Sequence, residues 1–120
     1  MSIEKLALPN SGGVPPARIS LAEALVRVRS EPLPYALLFE RDDVAVEFFV
    51  PRGHDSQTPH SQDELYLVLS GSARLVRGSD SIRCAAGDSL YVPALMDHHF
   101  ESISDDFRTW VIYFGPHLGS

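Results

Sequence analysis

Short runs of β-favouring residues, separated by turn residues, dominate the chain from position 35 onward and most restrict its fold. The turn signals recur roughly every 8 to 12 residues, a spacing typical of antiparallel sandwiches and barrels. No helical periodicity interrupts these runs, which excludes the alternating strand and helix order of a parallel sheet. The sequence therefore predicts an all-β fold, a small antiparallel β-barrel or jelly roll, with strands at 35–40, 44–50, 64–69, 73–77, 81–84, 89–92, 98–103 and 107–114.

The N-terminal part of the chain has a different composition. Residues 1–17 contain three prolines and a pair of glycines, which disfavour regular structure. Ser20 and Glu23 then form a capping box, and apolar residues at helical spacing follow, so we expect one short helix at about 20–29. The chain is predicted to be a single domain, with residues 1–34 as an arm and helix packed on a barrel of residues 35–116.

Composition and charge exclude several classes of protein. With 120 residues, 44% apolar and 22% charged, the chain is typical of one globular domain, and its net charge of −6 argues against a nucleic-acid partner. No apolar run reaches the roughly 20 residues of a membrane span, and no signal-peptide pattern is present, so we expect a cytoplasmic protein. Cys84, the only cysteine, rules out an internal disulfide and is expected to be a small buried residue.

His60 and Glu64 stand at the entrance of the predicted strand 64–69. In an unbroken strand their side chains would share one face but lie roughly 13 Å apart, at about 3.3 Å per residue. Ligands of one metal ion lie roughly 2.0–2.2 Å from it, so a shared ion requires the chain to bend between them. Residues 61–63 are turn-favouring types, and we expect a bend there, with His60 ending one strand and Glu64 opening the next.

Two adjacent histidines open the predicted strand 98–103. Alternation along a strand lets only one of them point inward. His98 is in register with Phe100, so it is the interior histidine if Phe100 packs inside.

Over roughly residues 44–114, the chain contains two motifs whose spacing and order resemble those of the cupin family. His60, Glu64 and Gly71 fall on the second histidine, the glutamate and the last glycine of the first cupin motif. Gly87, Pro93 and His98 match the spacing of the second. The resemblance implies a cupin-like barrel that holds a metal ion.

The chain departs from the family pattern at four positions. Thr58 replaces the first histidine of the H-x-H pair, and Gly53 lies one residue nearer to that position than in the family pattern. Leu95 replaces the inner glycine of the second motif, and Ser102 replaces its asparagine. By resemblance, the ligand set is reduced to three side chains, with water or substrate completing the coordination. The metal ligands that the resemblance implies are His60, Glu64 and His98.

A fourth ligand could come from the loop at 53–59, with Gln57 the preferred candidate and His54 the alternative, while Thr58 could instead hold a bound water. Two imidazoles and one carboxylate with open positions suit a divalent transition metal. Iron, manganese, nickel, zinc and copper all remain candidates.

The resemblance implies a metal-dependent enzyme of dioxygenase, isomerase or lyase type acting on a small polar organic molecule in the barrel. The alternative is a non-catalytic cupin that binds or senses a small ligand. The matched motifs offer no free carboxylate as a base. Aromatic side chains are expected beside the metal as a substrate pocket, and they are Tyr66, Tyr91, Phe100 and Trp110.

Two of the predicted strand segments, 65–69 and 111–114, are apolar on both alternating faces. One face of each would line the barrel, and the other needs a covering such as an arm, a helix or a second subunit. We therefore expect a homodimer.

Overall fold

A computed structural model describes Val14 and residues 16–119. The predicted N-terminal arm lies largely outside the described residues. One helix and eight strands follow one another, and their bounds are α1 Leu21–Arg29, β1 Tyr35–Arg41, β2 Val44–Phe49, β3 Asp63–Ser70, β4 Ser72–Arg77, β5 Asp80–Ala85, β6 Ser89–Val92, β7 His98–Glu101 and β8 Arg108–Phe114. The prediction of an all-β fold with one short helix is confirmed.

The strands form two antiparallel sheets. The larger sheet has the order β1-β2-β8-β3-β6, and the smaller has the order β5-β4-β7. Buried residues from both sheets meet in one core, which includes Phe49 and Tyr66 from the larger sheet and Leu75 and Phe100 from the smaller. The two inner faces therefore enclose the interior of a small jelly roll, as the sequence predicts.

Alternation along the strands separates the interior from the outer face of the larger sheet. In β3, Glu64, Tyr66 and Val68 are buried, whereas Leu67 between them is exposed. Because β3 lies between β8 and β6, its inward side chains have a neighbouring strand on each side. A functional group on this face of β3 thus faces the interior of the barrel.

Helix α1 covers one end of the outer face. Its N-cap residue Ser20 accepts a hydrogen bond from the backbone N–H of Glu23 at 3.1 Å, as the capping box predicts. Ala24 and Val28 of the helix pack against Phe48 in a second apolar cluster that also includes residues of β1. The helix leaves the β3 and β6 end of this face uncovered.

The two motif glycines at 71 and 87 both have positive φ. At Gly71, φ is +75° and a Cβ would lie 2.6 Å from the backbone of Phe107, so only glycine fits between β3 and β4. Ser102 has a φ of 51° and lies just after β7, which ends at Glu101 rather than at the predicted residue 103. Cys84 is buried, as expected. Among the described residues, no helix has the length and apolar character to cross a bilayer.

Leu95, at the position of the missing motif glycine, keeps the left-handed conformation with a φ of 69°. Its backbone N–H donates to the carbonyl oxygen of His60 at 2.8 Å, so this strained turn supports the segment that carries the first candidate ligand. A left-handed conformation costs a non-glycine residue about 1–2 kcal/mol.

We therefore expect Leu95→Gly to stabilise the protein. Relief of backbone strain should outweigh the cost of the extra entropy that glycine gives the unfolded chain. The free energy of unfolding should then rise by about 0.5–1 kcal/mol, which corresponds to roughly 2–4 °C in Tm. Thermal and urea unfolding measure the change. Ala94→Gly is the matched control, since Ala94 is not among the residues with positive φ, and it should lower Tm. A lower Tm for Leu95→Gly would contradict the interpretation.

Candidate metal centre

Three candidate ligands from distant parts of the chain meet inside the barrel. His60 lies just before β3, Glu64 is the second residue of β3, and His98 is the first residue of β7 in the other sheet. One ligand atom from each side chain lies within 4.8 Å of the others. The arrangement has the size of a coordination sphere for a single ion, and the cluster is compatible with a metal ion.

The chain bends between His60 and Glu64. Residues 61 and 62 form the bend and β3 begins at Asp63, but the preceding residues 55–60 are irregular, so the expectation that His60 ends a strand is wrong. Gln62 holds the bend, because its buried amide donates to the carbonyl oxygens of Asp43 and Gly115 at 2.8 and 2.9 Å. Since no sheet partner constrains the backbone at 60, the His60 side chain can turn back toward Glu64.

Glu64 is the centre of the cluster and is only 1% exposed. Its Oε2 accepts from His60 Nδ1 at 2.7 Å and lies 3.2 Å from His98 Nε2, while its Oε1 accepts from the Tyr66 hydroxyl at 2.8 Å. Burial alone would raise the pKa of the carboxyl group. Hydrogen bonds from His60 and His98, with the positive charge of both rings, outweigh burial and lower the Glu64 pKa to about 2.

His98 presents one nitrogen to the cluster. Its Nδ1–H donates to the carbonyl oxygen of Met96 at 3.0 Å, which leaves Nε2 facing inward. Glu64 Oε2 and Gln57 Oε1 both lie 3.2 Å from this Nε2. Burial alone would lower the pKa of His98. The hydrogen bond to Glu64, together with that to the Met96 carbonyl and the nearby negative charges, outweighs burial, and the pKa of His98 is raised. Two oxygen acceptors facing one ring nitrogen favour a cation there, either a proton or a metal ion.

Of the candidate fourth ligands, Gln57 reaches the cluster. Its Oε1 lies 3.2 Å from His98 Nε2 and 3.3 Å from the Tyr66 hydroxyl. His54 and Thr58 lie in the wall of the adjacent cavity. In the part of the chain that the structure describes, no hydrogen bond joins either of those two side chains to the three clustered ligands.

A cavity of about 690 Å³ adjoins the cluster through His60. His60 and Tyr66 form part of its wall, Phe49 and Val111 are apolar parts of the same wall, and residues 32–35, 52 and 54–58 contribute to its lining. Its volume is in the range of cavities that hold small organic molecules.

Of the four aromatic residues predicted to line a substrate pocket, only Tyr66 lines this cavity. Tyr91 is 44% exposed and Trp110 packs edge-on against Phe48, on the outer face of the larger sheet. Their inward neighbours are buried instead, because alternation places Tyr91 and Trp110 outside. Phe100 does point inward, but it is packed in the core against Tyr66, with ring centroids 5.0 Å apart.

Glu47 was missed at the sequence level, because it lies outside the two matched motifs. It lines the cavity from β2, where its Oε1 accepts from the Tyr113 hydroxyl at 3.2 Å. Burial raises the pKa of Glu47 more than the Tyr113 hydrogen bond lowers it. The sequence did contain a signal for this placement. Glu47 is the single charged residue of the otherwise apolar strand VAVEFF, and it is in register with the inward Phe49.

A family model described as Cupin domain matches residues 46–113, which contain all three clustered ligands. An uncharacterized protein of Streptomyces coelicolor is 45% identical over 62 residues. That match covers 52% of this chain and only 59% of the relative, so the chain spans less than two thirds of the curated relative it matches.

Solved structures share the fold. A cupin superfamily protein of Desulfitobacterium hafniense is 25% identical with a TM-score of 0.62, over 91% of this chain and 95% of that one. A protein of Ralstonia eutropha named as a candidate mannose-6-phosphate isomerase is 27% identical with a TM-score of 0.60, over 68% and 83%. The DMSP lyase DddQ of Ruegeria pomeroyi, at 21% identity, TM-score 0.62 and coverage of 72% and 48%, is similar in fold alone.

The pKa directions predict how the stability of the metal-free protein depends on pH. Glu64 has a folded pKa of about 2 against an ordinary 4.5, so its contribution is present above about pH 4.5 and is lost as pH falls toward 2. His98 has a raised pKa, so its contribution is present below about 6.5 and is lost as pH rises through the folded value.

Urea unfolding with chelator present, at several pH values, measures this dependence. Between pH 5 and pH 2, the parent should lose on the order of 2–3 kcal/mol more than Glu64→Gln, which has no carboxylate to protonate. Parallel stability curves for the two proteins would show that Glu64 is not held ionised by the histidines.

Proposed function

The chain belongs to the Cupin domain family, and on that premise we propose that it is a metal-dependent enzyme acting on a small polar organic molecule inside the barrel. The observation that carries the proposal is the convergence of His60, Glu64 and His98 beside a cavity. Buried charges of this kind lower stability unless they are paired, so a cluster of them beside a cavity favours a functional role.

The side chains present fit a divalent transition metal. Two ligand atoms each about 2.1 Å from one ion lie roughly 3.0–3.4 Å apart for octahedral to tetrahedral angles. The 3.2 Å separations from His98 Nε2 to Glu64 Oε2 and to Gln57 Oε1 fall in that range. The 2.7 Å separation from His60 Nδ1 to Glu64 Oε2 is a direct hydrogen bond, which a bound ion would replace. His60, Glu64 and His98 would hold the ion, with Gln57 as fourth ligand. Iron, manganese, nickel, zinc and copper are the candidates for this mixture of nitrogen and oxygen ligands.

A bound ion supplies Lewis-acid polarisation of a substrate oxygen and a template for its orientation. The protein's own groups do the rest. Tyr66 donates to Glu64 Oε1 and so keeps the carboxylate's other oxygen directed at the histidines. Phe49 and Val111 exclude water from one side of the cavity.

Glu47 is the proposed proton-transfer group. It lies on the cavity wall and is not one of the clustered ligands, and its raised pKa brings it closer to the neutral range in which a carboxyl group can both accept and donate a proton. Tyr113 holds one of its oxygens. A base positioned in this way favours isomerisation or elimination, which move a proton, over oxygen insertion.

The names of the similar structures are consistent with this preference. One is called a candidate isomerase and another a lyase, although the lyase is similar only in fold. A dioxygenase reaction is the less favoured variant. A non-catalytic binding or sensing cupin is the second candidate function, favoured by Thr58 at the position of a family histidine.

Elemental analysis of protein purified without chelator tests the proposal. We expect about one equivalent of transition metal in the parent and below about a tenth in His60→Ala, Glu64→Ala and His98→Ala, because each loses a ligand atom. Added metal at about a hundred times its Kd should stabilise the parent by about 2.7 kcal/mol.

Glu47→Gln is the matched control, since it changes a cavity carboxylate outside the ligand cluster and should retain the metal. Circular dichroism establishes that each variant keeps its β structure. A parent that contains no metal, and whose Tm does not rise when metal is added, would refute the proposal.

The working form of the protein is proposed to be a homodimer, joined through the β3 and β6 end of the larger sheet's outer face, which α1 does not cover. Leu65 pairs with Tyr91 and with Ile112 on this face, and Leu67 beside them is 37% exposed. Large exposed apolar patches commonly mark protein interfaces.

Light scattering coupled to size-exclusion chromatography tests the dimer. The parent should elute with twice the mass of one chain, and Leu67→Lys should give a monomer because it places a charge in the apolar face. Ile82→Lys, on the smaller sheet, is the control and should stay dimeric. A monomeric parent would end this part of the proposal.

A cytoplasmic location is also proposed. It is supported by Cys84, the single cysteine of the chain, which is a buried free thiol. The partner would be a small-molecule substrate rather than nucleic acid, in keeping with the net charge of −6.

A further inference from the structure

The irregular segment between β2 and β3 carries two side chains that depend on each other. The amide Nε2 of Gln57 donates to Asp55 Oδ2 at 2.6 Å. At its other end, Gln57 Oε1 lies 3.2 Å from His98 Nε2. Apart from His60, Gln57 is the residue of this segment that reaches the ligand cluster. Asp55 contacts the opposite end of its side chain.

The orientation of an amide decides whether it can bind a metal ion. Its oxygen has free lone pairs, whereas its NH₂ group has none to offer. An ionised carboxylate only accepts hydrogen bonds, so Asp55 requires the NH₂ end of Gln57 on its side. The reversed amide would place two acceptor oxygens 2.6 Å apart. Asp55 therefore directs Gln57 Oε1 at the cluster.

The Tyr66 hydroxyl does not compete for this oxygen. It lies 2.8 Å from Glu64 Oε1 and 3.3 Å from Gln57 Oε1. Because the hydroxyl has one proton, the shorter contact to Glu64 takes it. The lone pairs of Gln57 Oε1 stay available.

Asp55 is itself anchored to the strand that carries His98. The same Oδ2 accepts from the backbone N–H of Phe100 at 2.9 Å, two residues beyond His98 in β7. One carboxylate oxygen thus joins the amide of Gln57 to the strand of another candidate ligand. The distance between Gln57 and His98 is set through this shared partner.

We propose that Asp55 is a positioning residue for the metal site, which presents the carbonyl oxygen of Gln57 as a ligand in place of the family histidine missing at Thr58. This inference rests on the proposed metal site. The resulting set of two nitrogens and two oxygens is richer in oxygen than a site with three histidines. Mn²⁺ is therefore a suitable probe, since carboxylate and carbonyl oxygens suit it.

The test compares Mn²⁺ affinity, by isothermal titration calorimetry of the metal-stripped full chain, for Asp55→Ala in two backgrounds. With Gln57 present, loss of the acceptor at position 55 lets the amide turn its NH₂ group toward the cluster, so Kd should rise roughly tenfold or more. In the Gln57→Glu background both carboxylate oxygens are equivalent and Asp55 repels them. Asp55→Ala should then leave Kd unchanged or lower it. Asp55→Asn is the conservative variant and should bind like the parent, because its side-chain oxygen can accept from both Phe100 N–H and Gln57.

A purely structural role gives a different pattern. If Asp55 only fastens the segment to Phe100, Asp55→Ala will weaken Mn²⁺ binding by the same factor in both backgrounds, which overturns the proposal. Ser56→Ala, in the same segment and without a side-chain hydrogen bond to the cluster, is the matched control and should bind like the parent. The Tm of every variant in chelator establishes that it is folded.

Two further variants separate this inference from the proposed function. If His98→Ala abolishes Mn²⁺ binding while Gln57→Leu binds as tightly as the parent, the metal site stands and the role of Asp55 falls. If the parent itself does not bind Mn²⁺ or another divalent transition metal, both proposals fall. Weakened binding by Gln57→Leu, together with the background-dependent effect of Asp55→Ala, supports both.

Discussion

The burial of the Glu64 carboxylate between two histidine rings is the constraint on which the rest of the structure depends. A carboxylate only 1% exposed is unfavourable unless charged or hydrogen-bonding partners surround it, and here His60, His98 and Tyr66 do so. Those partners come from an irregular segment, from the other sheet and from β3 itself. The jelly roll must therefore close correctly for any of them to reach Glu64, and the same closure creates the cavity beside it.

The sequence predicted the parts of this arrangement that depend on local pattern. Strand alternation was sufficient to place His98 inward, and motif spacing joined His60 and Glu64 to His98. Local sequence pattern could not predict contacts that depend on the register between strands far apart along the chain. Glu47 faces the cavity beside Tyr113 because β2 pairs with β8, a neighbour 66 residues away along the chain. The placement of Tyr91 was missed for the related reason that an aromatic residue fits either face of a strand.

The departures from the family pattern are absorbed by neighbouring parts of the chain. Leu95 retains the positive φ expected of the missing glycine and holds the carbonyl of His60. In the proposed metal site, Gln57 takes the place of the histidine missing at Thr58, and its amide donates to Asp55. Such substitutions explain why motif matching finds the three side chains of the cluster but not the residues that support them. The positions of those supporting residues follow from loop geometry, for which short motifs carry no information.

Anomalous diffraction from crystals grown with Mn²⁺ and recorded near the manganese absorption edge tests the central claim most directly. The account predicts one strong peak per chain, about 2.0–2.3 Å from nitrogen atoms of His60 and His98 and from an oxygen atom of Glu64. A peak elsewhere in the molecule, or no peak in crystals soaked well above the expected Kd, would contradict it.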